Sequence, residues 1–290
     1  MPDVLTAIAD IVSHQAFTLP TSGPGHTSIN QSGIAFETFC KDRLVGLEPG
    51  ADDKREKLYK RYLIYQGANN NPPDAMYCGG DGGDAFEFKK RGGKPTGDIP
   101  LNSSWPKDRL TQRSYGITAS CRECESWTER DLFYICGGVP ANTTRIAWIW
   151  ICDARLMAAE DKRYRAIYNT IRSGVRDIPD IQCADTKELG KVKKCDPAGY
   201  TRLRVRGMWA IDQPGKLFKD LPGVRSSTRP TLHALIRLKK WNALSSHSRS
   251  RIDALAKKDG FLKSKVEVPD PNNPRATIPA VLIRYEKVAE

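Results

Sequence analysis

The chain has 290 residues, is 39% hydrophobic and carries a formal net charge of +12. That is enough for one large domain or two modest ones around a sizeable core. No apolar run approaches the ~20 residues that span a bilayer. Eight cysteines in a chain this long do not make a secreted disulfide scaffold. A pI near 9.3 points to an anionic partner.

Residues 2 to 14 predict a helix, with Val4, Leu5, Ile8, Ile11 and Val12 on one side. The segment lacks a basic n-region and so does not read as a signal peptide, which makes a thiol-reducing cytoplasm the expected setting. Residues 18 to 27 form a Gly/Pro-rich loop. A second helix is predicted from about Ser32 to Leu47, with Phe36, Phe39, Cys40 and Leu44 as its apolar stripe. Glu37 sits among them, either as a solvated helix position or as a third acid supporting a metal site. Residues 59 to 65 (YKRYLIY) fit a strand, and a polar loop from Gly67 leads to Pro72-Pro73, which stiffens the next segment.

That segment is a predicted β-hairpin. Residues 74 to 78 and 84 to 90 are strand-like and are separated by Gly79-Gly80-Asp81-Gly82-Gly83. Strand alternation puts Ala85, Glu87 and Lys89 on one face and Phe86, Phe88 and Lys90 on the other. Folding back at the glycines brings Asp74 within a residue or two of Glu87 and Lys89. Two carboxylates and an ammonium then converge. A hard divalent ion such as Mg²⁺ needs only one or two carboxylates plus water and substrate phosphate, and the Phe88 carbonyl offers one more oxygen. Such an ion activates water and offsets phosphate charge, while a lysine stabilises charge that builds up in the reaction. Pro73-Asp74, twelve residues, then Glu87-Phe88-Lys89 is a proline-aspartate…glutamate-x-lysine pattern. Alone, that pattern also fits a surface hairpin with ordinary exposed charges.

Beyond the hairpin, Asn102, Ser103, Ser104, Lys107 and Arg109 are polar donors and cations that can grip phosphate or base edges. They also suit a capping loop. Cys121 and Cys124 have metal-like spacing, but Cys183 and Cys195 are distant, with eleven residues between them. A pair of free thiols on a helix running to Arg130 fits better. Residues 131 to 136 and 145 to 152 read as central strands. Residues 154 to 176 read as a helix with Leu156, Met157, Tyr164, Ile167 and Ile171 buried. Residues 200 to 209 read as a strand with Arg202, Arg204 and Arg206 on one face. Residues 201 to 250 hold 11 Lys and Arg against two acids, Asp212 and Asp220. The three arginines therefore point to base reading in the major groove, against a salt-bridged sheet surface as the alternative. Residues 229 to 244 predict a helix, 245 to 251 a basic turn, and the C-terminal stretch around Pro269 to Pro274 a late hairpin.

Several stretches together resemble the NgoPII-like type II restriction endonucleases, of the restriction-endonuclease-like PD-(D/E)xK nuclease superfamily. They are Asn69 to Asp74, Gly83 to Lys90, Leu101 to Lys107, Cys121 to Trp127, Thr186 to Gly190 and Asp196 to Trp209, covering roughly residues 30 to 220. The resemblance implies an α/β fold with a mixed central sheet flanked by helices. It implies a Mg²⁺-dependent endonuclease that cuts both strands of duplex DNA at a short GC-rich palindrome, GGCC in named members. Asp74 and Glu87 would hold the metal and Lys89 would be the catalytic cation. A palindromic target implies a homodimer. Residues 1–220 are expected to form the nuclease core with its DNA-recognition elements. Residues 221–290 are expected to add a basic helix and hairpin on the same domain. A structure- or damage-directed nuclease of the same fold and a non-catalytic DNA-binding protein are the competing readings.

Overall fold

A computed structural model describes residues 1–20, 29–67, 71–94, 97–102, 104–178, 183–184, 188–198, 200–225 and 227–288, with the side chains of 29–31 and 102 outside the description. The chain opens with α1 (Val4–His14), α2 (Ile29–Leu44) and α3 (Arg55–Tyr62), then β1 (Leu63–Gln66), β2 (Ala75–Tyr77) and β3 (Ala85–Arg91). Next come β4 (Asp98–Asn102), β5 (Arg109–Thr111), α4 (Ala119–Glu123), β6 (Glu129–Gly138) and β7 (Trp148–Asp153). The helix α5 (Asp161–Arg176) precedes β8 (Gly190–Val192), β9 (Leu203–Val205), β10 (Trp209–Asp212) and α6 (Pro214–Leu217). The last elements are β11 (Thr231–Arg237), α7 (Leu238–Ala243), α8 (Ser246–Ala254), β12 (Phe261–Asp270) and β13 (Asn273–Glu286).

The main sheet runs β1-β2-β3-β6-β7-β11-β13-β12, and β5 adds to one end of β6. The pairs β3/β6 and β7/β11 are parallel and the others antiparallel, so the sheet is mixed. Strand alternation splits its side chains between two cores. Phe86, Phe133, Ile135, Ile149, Ile151, Leu232 and Ala234 pack under α1, α2, α7 and α8. Ala85, Leu132, Tyr134, Trp148, Trp150 and Leu235 face the layer that contains β4, α4, β10 and Phe218. This second face carries the pocket described below.

The predicted first helix stands, closed by a capping box between Asp3 and Thr6. The stripe Phe36, Phe39, Cys40 and Leu44 is buried as expected. Four expectations change. Residues 59 to 62 finish α3, and only Leu63–Gln66 is strand. Residues 231–237 are not helical: β11 is buried along its whole length, and a continuous apolar run has no periodicity that separates a buried strand from a buried helix. Residues 245–251, expected as a basic turn, instead cap and begin α8, which runs from Ser246 to Ala254. The 154–176 helix starts only at Asp161, and Ile167 and Ile171 are 40% and 42% exposed. Tyr168 is its buried residue, because α5 rests on a small aromatic cluster rather than on the sheet. The late hairpin is present as β12 and β13 and is longer than expected.

Candidate active site

Asp74 enters the sheet at the start of the β2–β3 hairpin. Its N–H donates to the Phe86 carbonyl at 2.9 Å, and its own carbonyl accepts from Gly67 N–H at 2.7 Å. Gly67 is needed for that approach, since a Cβ there would sit 2.5 Å from the Pro73 carbonyl oxygen. The Pro72-Pro73 peptide is cis. The glycine turn is real: Gly79 and Gly80 have φ of 123° and 57°, which glycine adopts freely. Ala75 pairs with Phe86 and Met76 with Ala85. This register places the Asp74 carboxylate over β3, where its Oδ2 accepts from Phe88 N–H at 2.5 Å.

Glu87 and Lys89 share one face of β3, and Lys89 Nζ donates to Glu87 Oε1 at 2.6 Å. The phenylalanines on the other face pack in the opposite core. All three predicted residues line one pocket with Asn71, Pro72, Leu101, Ser104, Trp105, Lys107, Leu132 and Tyr134. Burial, reinforced by the charge of Glu87, pushes the Asp74 carboxyl up to about 8 against the pull of Lys89 and of the Phe88 N–H. Burial opposes the charge on Lys89, but Glu87 and Asp74 outweigh it and hold the ammonium above the ordinary lysine value. The carboxylates therefore repel each other, and the pocket favours positive charge between them.

A divalent cation fits this pair. Among the described residues, Glu87 Oε2 is buried with no hydrogen-bond partner, an oxygen lone pair in need of a cation or donor. No cluster of three or more His, Cys, Asp or Glu side chains is placed to hold a metal among the described residues. The donor set is thus two carboxylates, with substrate and water left to complete the shell. Glu37 is ion-paired with Lys41 at 2.8 Å across one helical turn. The structure does not gather it with Asp74 and Glu87 into a three-acid group.

The other expected contacts divide. Ser104 and Lys107 line the pocket, with Lys107 Nζ on Ser104 Oγ at 2.5 Å. The Asn102 side chain and Ser103 lie outside the described residues. Arg109 is held by Asp108 and Glu129 and lies in a neighbouring charged groove. The arginine strand is short: only Leu203–Val205 is strand, paired with β8 in a separate two-stranded ribbon. Arg202, Arg204 and Arg206 are all exposed. Glu188 accepts from Arg204 Nε at 3.0 Å and from Arg206 Nε at 2.9 Å, so two of the three exposed arginines share a salt bridge.

Two features were missed in the sequence reading. The pocket wall is an aromatic stack: Trp105 lies 4.4 Å from Tyr115 and 11° off parallel, and its Nε1 donates to Asp161 at 2.8 Å. Trp105 stands in the Leu101 to Lys107 stretch, but two of its partners, Asp161 and Tyr168, are far along the chain. The Cys121–Trp127 stretch holds the hairpin turn. Glu125 accepts from Gly79 and Gly80 N–H at 3.3 and 3.0 Å. Buried Arg130 pairs with Glu125 and donates to the carbonyls of Tyr77 and Gly83. α4 is only five residues and does not run to Arg130. Cys121 is buried and Cys124 partly so, both as free thiols.

The NgoPII restriction endonuclease family model matches residues 2–269. It reaches well beyond residue 220, where the recognisable motifs stop. The type II restriction enzyme NgoPII of Neisseria gonorrhoeae is 33% identical over 286 residues, covering 98% of this chain and 99% of that protein. No solved structure matches the chain. A hairpin that gathers two carboxylates and a lysine in one pocket thus lies within a match of nearly full length, and the chain belongs to the NgoPII restriction endonuclease family.

Proposed function

We propose that this restriction endonuclease uses Mg²⁺ to cut both strands of duplex DNA at a short GC-rich palindrome, with GGCC as the first candidate. The observation that carries the reading is the meeting of Asp74, Glu87 and Lys89 in one pocket of the β2–β3 hairpin. Asp74 and Glu87 would hold the ion, with the Phe88 carbonyl as a further oxygen. When bound, the ion lowers the pKa of a coordinated water and offsets phosphate charge. Lys89, on the same strand face as Glu87, stabilises charge that develops on the phosphate. Asp74 is fixed by the Phe88 N–H and by Gly67, so its reach toward the phosphate varies little.

Ser104 and Lys107 line the pocket. With Asn102 and Ser103, they are the candidates for contacts to phosphate or base edges. Arg202, Arg204 and Arg206 are the candidates for base reading, since a two-stranded ribbon fits the major groove and arginine pairs with guanine O6 and N7. Residues 1–220 supply these elements, and 221–290 complete the sheet. A palindrome requires one site per strand, hence a homodimer, working in the cytoplasm.

Incubation with plasmid DNA and Mg²⁺, followed by end mapping, tests the reading. Discrete fragments ending at one palindrome are expected. A smear would favour a structure- or damage-directed nuclease. Intact plasmid from folded protein would favour a non-catalytic DNA-binding role.

A further inference from the structure

Lys107 is buried more deeply than a general phosphate or base contact requires. It is 3% exposed. Its ammonium donates to Ser104 Oγ at 2.5 Å and to the Trp105 carbonyl at 3.3 Å, both neutral acceptors. Its peptide N–H donates to Tyr134 OH at 3.0 Å, and Trp105 is pinned by Tyr115 and Asp161. Among the described residues no carboxylate forms an ion pair with it, although it lines the same pocket as Asp74 and Glu87. A neutral side chain would serve as a strut at lower cost, because burying an unpaired charge is expensive.

Charge balance supplies a reason. Once a cation displaces the Asp74 proton, Asp74 and Glu87 bring two negative charges to the pocket, and Lys89 and Lys107 bring two positive ones. With a divalent cation on the carboxylates, the pocket carries a net charge of about +2. A phosphodiester is singly negative, and its five-coordinate transition state is doubly negative. The surplus therefore matches the transition state rather than the bound substrate, which is the condition for raising turnover.

We propose that Lys107 is a second catalytic cation, contacting the scissile phosphate from the Ser104–Trp105 wall of the pocket. This deepens the nuclease reading and rests on it. In the step it serves, water forms a P–O bond as the bond to the leaving sugar oxygen breaks. The water gives up a proton to solvent and the leaving oxygen gains one. Lys107 donates hydrogen bonds throughout and keeps its own protons. Burial draws its ammonium down to about 8, with Glu87 and Asp161 pulling the other way, so an arriving anion is electrostatically welcome.

The test uses full-length protein and a duplex carrying the site found by end mapping. Lys107→Met is expected to lower the single-turnover rate by roughly 10²–10³-fold, with the choice of site unchanged. A second measurement needs neither metal nor turnover. In EDTA, replacing the scissile phosphate by an uncharged methylphosphonate should weaken wild-type binding by at least ~5-fold and leave Lys107→Met almost unaffected. Lys107→Gln, which keeps the bond to Ser104, should behave like Lys107→Met, so a folding defect in one variant leaves the other decisive. Cleavage within about threefold of wild type would overturn the proposal. So would a methylphosphonate penalty equal in both proteins. In either case Asp74→Ala separates the causes: if it is inactive the nuclease reading stands and only Lys107 is wrong, and if it cuts normally the assigned site itself is wrong.

Discussion

Replacing Asp74 by Asn should stabilise the metal-free protein while removing its cleavage activity. In the folded chain the carboxyl is pushed from 3.8 up to about 8, first by burial and then by Glu87. A folded-state pKa above the unfolded one means that the native state holds the extra proton. Stability is therefore lost as pH rises from about 3.8, and the loss is complete above about 8. At face value this interval is worth about 5 to 6 kcal/mol, at about 1.4 kcal/mol per pH unit. Water entry and adjustment of Lys89 reduce the expected gain to roughly 1 to 3 kcal/mol. Asn keeps an acceptor for the Phe88 N–H and carries no charge to bury. At about 2 to 3 °C per kcal/mol for a chain of this size, Tm should rise by roughly 2 to 9 °C. The assay is thermal unfolding in EDTA at pH 5, 7 and 8.5, with the Asn advantage growing with pH. Adding millimolar Mg²⁺ should then raise the wild-type Tm and leave the variant unmoved. An advantage that shrinks with pH, or a variant that melts below wild type at pH 8.5, would refute the electrostatic account of the pocket.

Four further outcomes are expected. Metal affinity should fall about tenfold per pH unit below about 8, with near one proton released per ion bound, measurable by calorimetry in two buffers of different ionisation enthalpy. Lys89→Ala should abolish turnover while gel-shift affinity stays within a few fold, because its cation acts mainly on charge that forms in the reaction. Gly67→Ala should cut the rate at least ~10-fold, since the added Cβ collides with the Pro73 carbonyl and displaces Asp74; a normal rate would show that Asp74 tolerates the movement. Arg204→Ala should relax site choice by roughly 1 to 3 kcal/mol per lost base contact, read as new bands in a plasmid digest, and the salt slope of DNA binding should report phosphate contacts.

The hairpin that carries the candidate site was legible because local rules decide it. Glycines at 79, 80, 82 and 83 permit one bend, and strand alternation then sorts Glu87 and Lys89 from Phe86 and Phe88. What escaped was set by distant contacts. Gly67 looks like any loop glycine until the Asp74 backbone lies against it. The Cys121–Trp127 stretch looks like half a zinc site, yet Glu125 in its middle ties down the hairpin turn. β11 was misread because both its faces are buried, which erases the alternation that marks a half-exposed strand. Ile167 and Ile171 follow helical spacing correctly, but spacing cannot say whether a partner surface exists, and here the sheet is not beneath them.

The two kinds of proposed functional residue sit on supports of different stiffness. Asp74, Glu87 and Lys89 are held by the main sheet, and Lys107 by the stacked Trp105 and by Tyr134. The arginines stand on or beside a three-residue pair, β8 and β9, with half-buried Glu188 linking the exposed Arg204 and Arg206. Exposed ion pairs contribute little stability, so that link is easily exchanged for other acceptors. Chemistry needs atoms fixed to a fraction of an ångström, whereas reading bases needs side chains able to leave one partner for another. It follows that substitutions in the ribbon should alter which DNA is cut more than how fast it is cut, and substitutions in the pocket the reverse. A ribbon variant that lost turnover at saturating DNA, with its site choice intact, would contradict this division.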